Sequence, residues 1–292
     1  MRLSVIQIRD PFILKADGQY YMYGSTDKDI WRSPGVGFNT YTSHDLLTWE
    51  GPIPAFRPPA GFWGTKNFWA PEVYEYGGQY YMFATFIGEG YQRGTSILRA
   101  DRPSGPFVPW SDGPVTPRDW MCLDGTLHIG EAGEPWMVFC HEWVQIGDGT
   151  VCAVRLSRDL KQSEGDPVTL FSSIEAPWST LAYSPSNNME GHVTDGCYLH
   201  RLANGTLLML WSCIGLTGYC IAYARSESGT VLGPWTHPEE PLFSRDGGHG
   251  MIFRAYDGRL LLTIHAPNRT PLERAAFFEL METEDGLRLA ND

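Results

Sequence analysis

The chain has 292 residues and a formal net charge of −12, with 22 Lys and Arg against 34 Asp and Glu. That balance excludes a partner bound through its phosphates, which needs clustered cations. Hydrophobic residues at 42% and charged residues at 19% allow a sizeable core and exclude a disordered chain, and no run of eighteen apolar residues predicts a membrane span.

The N-terminal MRLSVIQIRDPF passes directly into a strand pattern, without the apolar stretch and small-residue site of a secretory leader. Residues 10–25, DPFILKADGQYYMYGS, then place two apolar strands around a Gly turn, and residues 70–85, APEVYEYGGQYYMFAT, repeat them in register. Weaker copies begin at Asp124 (DGTLHIGEAGEPWMVFCH), Asp195 (DGCYLHRLANGTLLMLWS) and His249 (HGMIFRAYDGRLLLTIH). Between them, TSILRAD, TVCAVRLSRDL and YCIAYARSES predict third strands, and segments such as SGPFVPW and LGPWTHP follow these. Units at this spacing, roughly 50 to 70 residues, suit blades of four strands around an axis. No helical periodicity is sustained and no linker divides the chain, so the expectation is one all-β domain over residues 1–292, a five-bladed β-propeller. The alternative is a meander or sandwich that reuses hairpin chemistry. The six cysteines (Cys122, Cys140, Cys152, Cys197, Cys213, Cys220) show no CxxC and no zinc-finger spacing, which predicts reduced core thiols and, with the missing leader, a cytoplasmic protein.

Three units open on an acid followed by Pro or Gly: Asp10-Pro11, Asp124-Gly125 and Asp195-Gly196. Inner strands of a propeller start at the same end of the channel, so three carboxylates at a shared repeat position converge on one pocket. The alternative for any one of them alone is a solvated turn residue. Gathered together, like charges push pKa values apart, leaving one acid protonated while another is ionised. Inverting glycoside hydrolysis needs such a pair, a carboxylic acid and a carboxylate about 6.5–9.5 Å apart. An aromatic share of 13% suits both pleated strands and faces that stack on sugar rings.

These residues resemble glycoside hydrolase family 43. IRDPFILKADGQYYMYGS is similar to its first blade and NFWAPEVYEYGGQYYMFAT to its second, and the likeness runs on through DGTLHIGEAGEPWMVF, VTDGCYLHRLANGTLLMLWS and GGHGMIFRAYDGRLLLTIHAPN. The resemblance implies a five-bladed propeller acting on arabinose, xylose or galactose linkages, with Asp10 as general base and Asp124 orienting the general acid and raising its pKa. For that acid the family places Glu in a Glu-Gly-Pro motif, where this chain has Asp195 in Asp-Gly-Cys. Glu190 in MEGHVTDG and Glu142 in CHEW are the substitutes, ranked after Asp195 and equally readable as structural residues. The resemblance also puts His249 near a central cation, commonly calcium, which allows a structural calcium contacted through water and requires no other cofactor.

Trp69 in WAPE is the favoured sugar platform, ahead of Trp143 and Trp178, whose alternative is blade packing. Glu72, Arg9 and His141 are candidate substrate contacts, and Arg9 beside the base also suits holding a carboxylate ionised. The expected function is inverting, exo-acting hydrolysis of arabinofuranosyl or xylosyl linkages, since the segments 26–66 and 172–194 read as long inter-blade loops that narrow the channel. The alternatives are a catalytically impaired sugar-binding propeller, a fructosidase or galactosidase relative, and a protein-interaction propeller. The expected partner is a carbohydrate, without nucleic acid or membrane.

Overall fold

A computed structural model describes residues 1–291. The repeat folds as the sequence suggests because its turns carry the backbone that twisted hairpins demand. Asp17-Gly18 has φ of 52° and 73° and Gly77-Gly78 has 58° and 78°, the paired left-handed conformation that matches strand twist.

The first blade is an antiparallel sheet of β1 (Arg9–Ala16), β2 (Gln19–Ser25), β3 (Phe38–Ser43) and β4 (Glu50–Phe56). The second holds β5 (Lys66–Tyr76), β6 (Gln79–Gly88), β7 (Tyr91–Ala100) and β8 (Val108–Pro109), and the third β9 (Cys122–Ile129), β10 (Pro135–His141), β11 (Thr150–Leu156) and β12 (Ser163–Ser172). A short helix α1 (Trp143–Ile146) follows β10, and a hairpin of β13 (Ala182–Ser184) and β14 (Met189–Gly191) precedes the fourth blade. That blade holds β15 (Asp195–Arg201), β16 (Leu207–Gly215), β17 (Gly218–Ser226) and β18 (Trp235–Thr236). The fifth holds β19 (Gly248–Arg254), β20 (Leu260–Ala266), β21 (Arg274–Glu282) and β22 (Leu287–Leu289). The chain is a five-bladed β-propeller. One expectation changes: part of the segment 26–66, Phe38–Ser43 and Glu50–Phe56, is not an inter-blade loop but the outer strands β3 and β4 of the first blade.

Apolar side chains between blades hold them together. Phe38, Phe56, Phe68 and Phe86 interlock with ring centroids 4.8–6.2 Å apart, and between the third and fourth blades Trp211 meets Phe171 at 5.4 Å and Trp178 at 4.6 Å. The ring closes where β1 packs on β19, with the Ile8 N–H donating to the Glu273 carbonyl at 3.4 Å.

The feature that builds the channel mouth lies at the head of each inner strand. There the ladder slips by one residue, from Arg9↔Ser25 to Phe12↔Tyr23, and likewise after Trp69↔Thr85, Leu123↔Cys140, Asp195↔Ser212 and Gly248↔His265. The next residue in each strand is left-handed: Asp10 at φ 53°, Ala70 at 45°, Asp124 at 56°, Gly196 at 61° and His249 at 45°. Four of these are not Gly, a conformation that costs on the order of 1 kcal/mol each and persists only where the surroundings enforce it.

The enforcement is a ring of hydrogen bonds. The kinked N–H groups donate to a side chain near the end of the second strand of the preceding blade, at the residue paired just before the slip: Ala70 to Ser25 at 2.9 Å, Asp124 to Thr85 at 2.9 Å, His249 to Ser212 at 2.8 Å and Asp10 to His265 at 3.2 Å. At the fifth junction the equivalent side chain is Cys140, a weak acceptor, and the Gly196 N–H instead donates to the Asp124 carboxylate at 3.0 Å. Because these N–H groups are buried, Thr85→Val and Ser212→Ala are each expected to cost about 1–3 kcal/mol in urea unfolding, and a loss under half of that contradicts the ring.

Candidate active site

The kinks aim two carboxyls and an imidazole at one point on the axis. His249 Nδ1 lies 3.2 Å from Asp10 Oδ1 and 3.6 Å from Asp124 Oδ2. Asp10 also accepts a 2.6 Å bond from the Ser25 hydroxyl on Oδ2, and Arg9 Nε stands 4.0 Å from Oδ1. Since His265 Nδ1 accepts the Asp10 N–H, its proton sits on Nε2, which faces Asn268 Oδ1 at 3.2 Å. Burial drives His265 down to about 3, so it is neutral at working pH.

Asp195 reaches the site from a different register. It pairs with Ser212, the position of Arg9 and Trp69 in their blades, one residue before that of Asp10 and Asp124. The sequence expectation of a shared repeat position is thus corrected: the counterpart of Asp10 in the fourth blade is Gly196, whose φ of 61° and closeness to His249 require the missing side chain. Tyr219 donates to Asp195 Oδ2 at 3.0 Å.

Electrostatics separate the three acids. Burial alone would raise Asp10, but His249 and Arg9, with the Ser25 hydroxyl, outweigh it and hold the carboxyl below its usual range. Asp124 is pushed well above that range, first by burial and then by Asp10, against the Gly196 N–H. Asp195 rises to about 7, first by burial and then by Asp124. Asp10 is therefore held ionised under conditions in which Asp195 still carries its proton.

The other sequence candidates fall around this centre. Trp69 donates Nε1 to the Ile30 carbonyl at 2.7 Å, meets Trp31 edge-on at 5.1 Å and carries the Arg93 guanidinium on its face at 4.4 Å. Glu142 is buried and ion-paired to Arg93, which also reaches Asn67 Oδ1 at 3.2 Å, so its charge is committed. Glu190 lies exposed on β14, opposite Tyr183, outside the cluster. Glu72 sits one layer down the channel, in the register of Phe12 and Thr126. There it accepts from Tyr74 and is raised to about 7 by burial, which places it beneath the mouth rather than in it. His141 stacks on Trp120 at 4.2 Å and faces Gln145 at 2.8 Å. Trp143 packs against the core between the third and fourth blades, and Trp178 is buried there against Trp211.

All six cysteines are free and buried. Near the expected central cation, His249 Nδ1 faces two carboxylates, and no group of three or more His, Cys, Asp or Glu among the described residues is arranged to hold a metal ion directly. Sequence reasoning missed Ser25, Arg93, Tyr219 and His265. Ser25 and His265 carried a signal, a polar residue closing an apolar strand in YMYGS and LLTIH, matched by MFAT and LMLWS.

Residues 4–287 match the family model described as Glycosyl hydrolases family 43. The chain belongs to that family. As a family 43 protein it is a glycosidase, an O-glycosyl hydrolase acting on carbohydrate with inversion. It is 43% identical to a solved endo-arabinase from Bacteroides thetaiotaomicron, with a TM-score of 0.91 and 98% of each chain covered. A solved thermostable family 43 glycoside hydrolase shares the fold, with a TM-score of 0.81, 24% identity and coverage of 98% of this chain and 93% of that one. An extracellular endo-α-(1→5)-L-arabinanase of Bacillus subtilis is 22% identical over 257 residues, covering 82% of this chain and 71% of that protein.

The raised pKa of Asp195 gives a stability prediction with a definite sign. Its folded value, about 7, exceeds the ordinary 3.8, so the native state binds the extra proton and loses stability as pH rises through that interval. Asp195→Asn removes the cost and is expected to stabilise the protein by roughly 2 kcal/mol at pH 8 with little change at pH 4. Urea unfolding at both values checks this, and equal effects at the two pH values contradict it.

Proposed function

We propose that this family 43 glycosidase cleaves arabinofuranosyl linkages within an arabinan-type chain, with Asp10 as general base, Asp195 as general acid and Asp124 tuning that acid. The observation that carries the catalytic reading is the opposed protonation of Asp10 and Asp195 around one imidazole. An ionised Asp10 takes a proton from water as the water attacks the anomeric carbon from one face. Asp195 gives its proton to the departing glycosidic oxygen on the other, and the attack inverts the centre. Asp124, which accepts the Gly196 N–H, stands next to the acid's attachment point, and its proximity raises the acid's pKa. Asp195 is favoured over Glu142, which is tied to Arg93, and over Glu190, which is exposed.

Two observations support the arabinan and the internal cut. The 43% identical relative is named an endo-arabinase, and part of the segment 26–66, expected to close the channel into an exo pocket, forms blade strands β3 and β4. Trp31 and Trp69, backed by Arg9 and Arg93, supply an aromatic wall for a sugar ring beside Asp10.

Incubation with linear arabinan and sizing of the products tests the substrate. Oligosaccharides at early times are expected, while release of arabinose alone indicates exo action and no release overturns the assignment. The kcat/KM profile is expected to be a bell, with an acidic limb below the ordinary carboxylate range and a basic limb near pH 7. Asp10→Asn is expected to cost at least about 10³-fold on every substrate. Asp195→Asn is expected to cost about 10²-fold or more on arabinan but far less on an aryl glycoside whose leaving group needs no proton. Equal losses on both substrates remove Asp195 as the acid.

A further inference from the structure

The guanidinium of Arg9 stands closer to a carboxylate outside the catalytic cluster than to the one beside it. Arg9 NH1 is 3.1 Å from Glu273 Oε1, whereas its Nε is 4.0 Å from Asp10 Oδ1. All three side chains are almost wholly buried, Glu273 completely. Arg and a carboxylate frequently close to a bidentate pair that occupies both carboxylate oxygens. Here Asp10 Oδ2 already accepts from Ser25 and Oδ1 already faces His249, so a closed pair would leave the carboxylate no free lone pair for water.

We infer that Glu273 is a positioning residue for Asp10: it anchors the Arg9 guanidinium away from the carboxylate, leaving the base charged yet open to water. This rests on the reading of Asp10 as general base. Glu273 is itself fixed on two sides. The Thr270 hydroxyl donates to Oε1, and the Glu273 carbonyl accepts from the Ile8 N–H at the start of the first blade and from Arg274 at 2.7 Å. The Arg9 guanidinium carbon lies 5.1 Å from the centroid of the Trp31 ring, and Trp31 Nε1 donates to Thr270 Oγ1 at 3.0 Å, so Trp31, Thr270 and Glu273 form one bracket around the cation. Glu273 Oε2 is buried with no hydrogen-bond partner among the described residues, so this carboxylate is not kept for its own satisfaction; its charge serves Arg9.

The groups facing Asp10 are few. Arg9 comes from β1, Asp124 from β9, His249 from β19 and His265 from β20, while Tyr219 on β17 faces both Arg9 and Asp10. His265 is neutral and Tyr219 keeps its proton, so Arg9 shares with His249 the task of holding Asp10 ionised, and Arg9 is the partner whose charge does not change with pH.

Glu273→Gln keeps the shape and removes the charge, leaving Asp10 as the only carboxylate partner of Arg9. It is expected to lower kcat on arabinan about tenfold with KM within about twofold, and to move the acidic limb of the pH profile down by about one unit. The double variant Arg9→Gln/Glu273→Gln avoids a lone buried charge and is expected to move the limb the other way, up by about one unit. Opposite shifts in two folded variants are a result that general structural damage does not produce. An unchanged limb and kcat in folded Glu273→Gln, or shifts in the same direction, overturn the inference. Asp10→Asn measured alongside separates the two claims, because wild-type turnover there removes the base itself rather than its positioning.

Discussion

Everything at the catalytic mouth depends on the ring of N–H donors at the kinked heads of the inner strands. A strand end in extended conformation would point its side chain along the pleat, into a blade interface. A left-handed residue at the bulge turns the side chain onto the axis instead, and the preceding blade's Ser, Thr or His takes the freed N–H. The same bonds that tie neighbouring blades together therefore aim Asp10, Asp124 and His249. The fifth junction is the informative one. With Cys140 in place of a good acceptor, Asp124 receives the Gly196 N–H, and the backbone of the blade carrying Asp195 is fixed to the Asp124 carboxylate.

Once gathered, the acids cannot behave alike. Low dielectric raises all three, and only Asp10 has cations and a hydroxyl close enough to reverse the effect. The arrangement spends folding stability on this asymmetry, in buried carboxyls with raised pKa and in non-Gly residues at positive φ. Arg9 belongs to the same balance: its charge keeps the base ionised, and its pairing with Glu273 limits how far it neutralises that base.

The propeller was legible because its signal is repetition. The DGQYYM and GGQYYM hairpins carry the turn residues and the apolar strands together, and weaker copies inherit the register from them. Asp10 and Asp124 were legible as acids before Pro or Gly at a strand head. The offset of Asp195 was not, since Asp-Gly reads identically whether Asp or Gly occupies the left-handed position, and only pairing with Ser212 distinguishes the two. Glu142, ranked behind Asp195 and Glu190 from sequence, is held by Arg93, 49 residues away. Tyr219, Arg93 and Glu273 escaped for the same reason: their roles arise from contacts between blades, and no local spacing encodes them.

The claim on which the rest turns is that one strand head keeps its carboxyl ionised while another keeps its proton. Site-resolved titration of the aspartate side chains by carbon NMR, assigned with Asp10→Asn and Asp195→Asn, measures this without reference to any substrate. The account predicts that Asp10 titrates below the ordinary carboxylate range and Asp195 near pH 7. An Asp195 already ionised at pH 5, or an Asp10 still protonated there, would contradict it.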